Sequence, residues 1–157
     1  MGLYKNIDVD FVERTIEDLD YIEKNNVNLP QEITHLLNYC YGLFVLPEQK
    51  IDDIIALMPQ ELSYYGIRKE DITSHRKKTF KNFIRSMRNG FAHAQLKSLA
   101  MKSSTDFSAL SIEDYDIDNK GHKKKTPHTS IELSLDQLKS FILKFSHEYI
   151  KCKKQIS

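Results

Sequence analysis

The sequence predicts a mainly α protein, a bundle of four to five helices with a small β-hairpin before the last one. Three observations carry this. Apolar residues recur at spacings of three and four through most of the chain, two short stretches after residue 106 alternate instead, and turn or cap residues fall between these segments. The 157 residues are 40% hydrophobic and 29% charged, enough to fill one core, so a single domain over 1–157 is expected, with the hairpin inserted at about 107–133.

The first helix is expected from Asp10 to about Lys24, where Val12, Ile16, Leu19 and Ile22 share a face and acids crowd the positive end of the helix dipole. After the Asn25-Asn26 turn signal, Pro30 suits a first helical turn. Ile33, Leu36, Leu37, Cys40, Leu43 and Phe44 then form a stripe that should stop before Pro47. A shorter helix carries Ile51, Ile54, Ile55 and Met58 and ends at Pro59, and Tyr64-Tyr65-Gly66 marks a loop.

The fourth helix is expected from near Lys69 to about His93, with Phe80, Phe83, Ile84, Met87 and Phe91 within roughly 100° of one another on the helical wheel. Alternation then appears over Phe107 to Ile117 and over Thr129 to Leu133, the two arms of the hairpin. Ser134 and Gln137 have the spacing of a capping box, and Leu138, Phe141, Ile142, Phe145, Tyr149 and Cys152 make a long final amphipathic helix.

Several function classes lose their usual supports. No apolar run approaches the roughly 20 residues that cross a bilayer, and the opening residues lack the apolar stretch of a secretory signal, so no membrane partner and a cytoplasmic location are expected. Cys40 and Cys152 form no CxxC pair and sit in apolar segments, which reads as core thiols. GxxxxGK[ST], GxGxxG, HExxH and GxSxG are all missing, and neither a metal nor a cofactor is expected.

The net charge of +1 conceals a segregation. Residues 1–71 carry 6 bases and 14 acids, residues 72–105 carry 8 bases and no acid, residues 106–118 carry 5 acids and no base, and residues 119–157 carry 9 bases and 3 acids. Such blocks can pair with one another in the fold. In the fourth helix, however, Lys77, Lys81, Arg85 and Arg88 line up along one flank of the apolar stripe with no acid between them, more than solubility needs. They are candidate contacts for a phosphate backbone.

At the end of that helix stands Arg88-Asn89-Gly90-Phe91-Ala92-His93. It places a permanent cation, an amide and an imidazole within six residues, as phosphodiester cleavage without a metal would require. The cation offsets the added charge of a pentavalent transition state, the imidazole moves protons at neutral pH, and the amide orients either. By itself the spacing is weak, since a bare Arg-x4–6-His pattern is expected roughly 0.6 times by chance with five Arg and six His in a chain of this length.

At these residues the chain resembles the HEPN superfamily, whose hallmark is an Arg, a polar residue and then a His at the end of a bundle helix. Arg88, Asn89 and His93 match it. Phe11-Val12-Glu13-Arg14-Thr15, Ile33-Thr34-His35-Leu36-Leu37-Asn38 and Gly42-Leu43-Phe44-Val45-Leu46-Pro47 are similar to the N-terminal half of a plasmid-borne bacterial group within it that is regarded as nucleases. The resemblance implies a helical bundle forming a homodimer, with two motifs facing each other across a shared cleft. It also implies a metal-independent endoribonuclease, in which the RNA 2′-hydroxyl attacks the adjacent phosphate to leave a 2′,3′-cyclic phosphate and a 5′-hydroxyl.

By the same resemblance Arg88 stabilises the phosphate, His93 transfers protons and Asn89 orients, while Lys77, Lys81 and Arg85 are added from the helical wheel as RNA-binding residues. A toxin or phage-defence role and an antitoxin protein partner follow only from the habits of the superfamily. The branch paired with nucleotidyltransferase antitoxins carries Tyr two positions after the His, where this chain has Gln95, which weakens that form of regulation. Two alternatives stand beside the nuclease. One is a non-catalytic HEPN module that binds RNA, nucleotides or a protein. The other is a helical interaction protein whose acidic N-terminal half and acidic hairpin form the adhesive surface.

Overall fold

The computed structural model describes residues 7–25, 29–44, 51–100 and 107–156. Five α-helices lie among them: α1 (Ile7–Lys24), α2 (Leu29–Phe44), α3 (Ile51–Leu57), α4 (Phe80–Ala92) and α5 (Leu135–Ile156). Four strands, β1 (Ile72–Ser74), β2 (Leu96–Ala100), β3 (Phe107–Asp114) and β4 (Thr129–Ser134), form one antiparallel sheet in the order β1-β4-β3-β2. The fold is mainly α, as expected. Pro47, expected to stop the second helix, lies outside the described residues.

The helices bury the stripes that the spacing marks. Val12, Leu19 and Ile22 of α1, Leu36, Cys40, Leu43 and Phe44 of α2, and Leu138, Phe141, Ile142 and Phe145 of α5 are all buried. Phe44, Phe91, Phe141 and Phe145 form the aromatic centre with ring centroids 5.5 to 6.1 Å apart, and Tyr65 stacks on Phe80 at 4.5 Å. Cys40 and Cys152 are free and buried, as core thiols should be.

The hairpin is present. Residues Ala109 to Asp114 pair with Ser134 to Thr129, so that Leu110 and Ile112 lie beside the equally buried Leu133 and Ile131 on one face. The capping box closes in both directions: the Gln137 amide donates to Ser134 Oγ at 3.1 Å and the Ser134 amide donates to Gln137 Oε1 at 3.0 Å.

Two strands add to the expected hairpin. The fourth helix does not begin near Lys69: Lys69–Asp71 is a turn of 3₁₀ helix, Ile72–Ser74 pairs with β4, and α4 opens only at Phe80, where the Thr79 hydroxyl accepts from the Asn82 amide at 3.3 Å. Three residues are too few for alternation to show, and it is the pairing of Ile72 with Ile131 that makes this segment a strand. Likewise β2 follows α4 almost at once. Ala94 takes φ = 50°, the Ala94 amide donates to the Phe91 carbonyl and the Gln95 amide to the Gly90 carbonyl, a left-handed helix end that turns the chain back as an edge strand on β3.

Two glycines mark the tightest packing. At Gly42 a Cβ would overlap the Phe11 ring, so α1 lies directly on α2. At Gly90 it would overlap Ile112 Cγ2 and lie 3.2 Å from the Glu113 carbonyl oxygen, so the last turn of α4 rests directly on β3. Gly90→Ala should therefore destabilise the fold by roughly 1 to 2 kcal/mol even after the gain in helix propensity, because overpacking a filled core costs more than alanine returns. A thermal melt should move down by roughly 3 to 8 °C; an unchanged midpoint would mean that α4 and β3 are not this close.

Asp71 joins the new β1 to α5. Its carboxylate accepts from the Arg68 side chain at 2.6 Å, the Arg68 amide at 2.9 Å and the Gln137 side-chain amide at 2.8 Å. Burial alone would raise its pKa, but these donors outweigh burial and hold it below the usual carboxylate value. A lowered folded-state pKa stabilises above the unfolded value near 3.9, and that contribution disappears as pH falls through the folded value. Asp71→Asn should cost roughly 1 to 3 kcal/mol at pH 7 by urea unfolding, and the gap should narrow below about pH 4. A gap independent of pH would show that charge is not what Asp71 contributes.

Candidate active site

The last turns of α4 hold all three motif residues, and the packing of the helix decides where each one faces. Phe91 is fully buried, with the Tyr41 ring edge-on at 5.3 Å and Phe44 at 6.1 Å. With Phe91 driven into the core and Gly90 against β3, Arg88 lies on the side of α4 toward α3, Asn89 meets the end of β3, and His93 caps the helix in solvent.

Between α3 and α4 lies a cleft of about 380 Å³, lined by Asp52 and Ile55 from α3 and by Lys81, Ile84, Arg85, Arg88 and Asn89 from α4. Four of the six residues singled out in the sequence thus meet in one place. No described residue forms an ion pair with Lys81, Arg85 or Arg88. The cleft carries three cations against the single carboxylate of Asp52, so its balance favours an anion.

The other two residues lie elsewhere. Lys77 is not on the helical ridge, because α4 starts after it. It lines a separate small recess with Ser74, Thr79 and Asn82, and its carbonyl accepts from the Asn82 side chain at 2.8 Å. His93 does not line the cleft; its backbone amide donates to the Asn89 carbonyl at 3.0 Å and its side chain is exposed. Within one chain, then, Arg88 and Asn89 share the cleft and His93 stands at the helix end. Gln95 gives its backbone to the turn, donating to Gly90 O and accepting from the Glu113 amide.

Behind Asn89 is a polar cluster that the sequence reading did not single out. Asp114, 3% exposed, accepts from Asn89 Nδ2 at 3.1 Å and from the Ser86 hydroxyl at 3.0 Å, and its other neighbour is His128 Nε2 at 3.1 Å, on a side chain 7% exposed. The His128 Nδ1 is 2.8 Å from Thr129 Oγ1, which is 2.7 Å from Ser74 Oγ. The chain of contacts therefore runs from α4 through the end of β3 to the ends of β4 and β1. The only local sign of it is an acidic run following a carboxylate-free one, since Asp114 lies 25 and 28 residues from the groups on α4 that it serves.

The neighbouring acids are also engaged. Glu113 accepts from Lys97 Nζ at 2.6 Å and from the Tyr115 hydroxyl, and Asp116 pairs with Arg76 at 2.7 Å and with Lys124 at 3.8 Å. Burial would raise the Glu113 pKa, but Lys97 and Tyr115 outweigh it and lower it, while the bond to Glu113 raises both Lys97 and Tyr115. The acidic hairpin is thus largely spent on partners within the chain, which argues against its serving as an adhesive surface.

A larger depression of about 670 Å³ spans residues 60–70 and Lys78. Two of its three bases are committed, Arg68 to Asp71 and Lys78 to the Lys69 carbonyl at 2.9 Å, and none of the singled-out residues lines it. No helix among the described residues is long and apolar enough to cross a membrane.

No curated protein and no solved structure matches the chain. One family model does, described as HEPN pEK499 p136, and it spans residues 1–156. The bundle, the sheet and the Arg88-to-His93 turn all fall within that span, and the chain belongs to the HEPN pEK499 p136 family.

Proposed function

We propose that this protein is a metal-independent endoribonuclease whose active site is completed by a second copy of the chain. The observation that carries this reading is the state of the motif: Arg88 lines a basic cleft with no ion-pair partner among the described residues, Asn89 is held beside it, and His93 stands exposed at the end of the same helix. A residue kept only to tie helices together would be buried and paired.

The chemistry follows from these groups. An RNA strand lies in the cleft with backbone phosphates against Lys81 and Arg85. The 2′-oxygen attacks the adjacent phosphorus and its proton passes to one His93. The phosphorus–5′-oxygen bond breaks, and the leaving oxygen takes a proton from the other His93, supplied by the second copy. The products are a 2′,3′-cyclic phosphate and a 5′-hydroxyl. The Arg88 guanidinium offsets the charge that builds on the phosphorane. One chain supplies one imidazole, exposed at the end of the helix that lines the cleft, which favours two copies for an acid–base pair.

The stretch 72–105 has no acid, and the fold brings one carboxylate, Asp52, to the cleft lining and another, Asp114, to Asn89, so an assay in EDTA is the direct test of metal independence. Cleavage of total RNA should proceed in EDTA and leave cyclic-phosphate ends. His93→Ala should lose on the order of 10² to 10⁴ in rate. Arg88→Ala should lose a similar factor, and Arg88→Lys should recover little of it, because an ammonium cannot reproduce the guanidinium fork. Activity that needs Mg²⁺ or Mn²⁺, or that survives His93→Ala, overturns this mechanism, and RNA binding with no cleavage moves the assignment to a non-catalytic RNA-binding module.

The placement of the bases separates them. Lys81→Ala and Arg85→Ala should each weaken RNA binding and reduce the slope of log affinity against log salt by roughly 0.7 to 0.9. Lys77→Ala, outside the cleft, should change the slope less. Equal effects at all three positions, or none, would remove the cleft as the RNA path.

A further inference from the structure

We propose that Asp114 is a positioning residue: from the end of β3 it fixes the side-chain amide of Asn89, so that the amide oxygen is the acceptor offered to a ribose 2′-hydroxyl in the cleft beside Arg88. This rests on the ribonuclease reading above and names the group in that site that distinguishes ribose from deoxyribose.

An asparagine amide has two faces of opposite character, and in solvent either can be presented. Here the choice is fixed from behind. A carboxylate only accepts, so the atom of Asn89 at 3.1 Å from Asp114 Oδ1 must be the nitrogen, and the carbonyl oxygen is left on the side away from Asp114. No described residue donates to that oxygen, and Asn89 lines the cleft with Arg88. Asp114 cannot turn away, since its other oxygen is held by the Ser86 hydroxyl at 3.0 Å and faces His128 Nε2 at 3.1 Å, and the carboxylate is 3% exposed. His128 is fixed in turn through Thr129.

A pinned acceptor suits one feature of the substrate. The phosphates and the bridging oxygens of a strand only accept, whereas the 2′-hydroxyl donates as well, and it is the group that a protein uses to tell RNA from DNA. An acceptor next to the cation that takes the phosphate holds the 2′-oxygen of the bound strand close to the phosphorus it attacks, and the hydroxyl turns its one proton to His93 as the attack proceeds.

The test measures binding, in the His93→Ala background, of a single-stranded RNA oligonucleotide and its 2′-deoxy counterpart of the same sequence. The parent should prefer RNA by roughly 3- to 12-fold, the worth of one hydrogen bond. Asn89→Ala should bring the ratio close to one without changing the salt slope. Asp114→Ala should do the same, and the double variant should lose no more than either single one, because the two act through one contact. A purely structural role for Asp114 would weaken both ligands together and leave the ratio intact.

Should Asp114→Ala fail to fold, the free wild-type protein decides the pinning by NMR. One Asn89 side-chain amide proton should exchange slowly with solvent, and two fast protons would overturn it. A ratio unaffected by Asn89→Ala overturns the ribose contact alone. A parent that binds neither oligonucleotide overturns the ribonuclease reading and this proposal with it.

Discussion

A carboxylate withdrawn from water has to be repaid in hydrogen bonds, and the end of α4 is arranged around that requirement at Asp114. A charge buried to this degree without partners would be strongly destabilising. Two donors on α4, Ser86 and Asn89, meet it from one side and His128 faces it from the other. Ser86 and Asn89 are three residues apart, hence on one helical face, and that face comes within reach because Gly90 lets α4 settle on β3. Side-chain bulk at Gly90 would push the helix off the strand and break the register between the bundle and the sheet at the point where the motif lies. The contact therefore acts on the helix and on a side chain at once. It fixes the tilt of the helix that carries Arg88 and the rotamer of Asn89.

The charge pattern takes on meaning once it is divided by partner. Of the bases in the acid-free stretch, Arg76 pairs with Asp116, which ties the loop before α4 to the segment after β3, and Lys97 pairs with Glu113, which joins β2 to β3. Both pairs are partly solvent-exposed and individually worth little. Lys81, Arg85 and Arg88 are of a different kind. They face a cleft, have no described ion-pair partner, and are spaced along a helix already committed to the core by Phe83, Ile84, Met87 and Phe91. Repulsion among three such cations costs stability, and a polyanion in the cleft would relieve it.

Much of this was legible in the sequence, and the boundary of what was not is physical. The stripes on α1, α2 and α5 and the Ser134–Gln137 cap are local patterns, and local patterns are what a single sequence displays. The ridge of Lys81, Arg85 and Arg88 was visible for the same reason. Lys77 was misplaced because its spacing fits a helix that Thr79 begins two residues later. The strands β1 and β2 escaped because neither alternates over enough residues, and their state is settled by β4 and β3 across the sheet. Asp114 escaped altogether. Its role exists only through contacts 14, 25 and 28 residues away, and nothing in an acidic run tells which member will be buried.

The division of the motif between a cleft and a helix end follows from the same constraint. In an unbroken helix His93 would continue the turn after Asn89, but Ala94 enters the left-handed region at φ = 50° and the chain reverses into β2. That conformation costs a non-glycine residue roughly 1 to 2 kcal/mol. It is held by the Gly90 and Phe91 carbonyls on one side and on the other by the Glu113 amide, which donates to the Gln95 carbonyl. Glu113 precedes Asp114, so adjacent residues of one strand hold Asn89 by its side chain and the turn after His93 by its backbone. Shifting β3 by one residue would exchange the faces on which these groups lie and undo both contacts together. The sheet added to the helical bundle thus sets the geometry of its Arg-to-His turn, with Asn89 at the cleft and the imidazole exposed at the helix end.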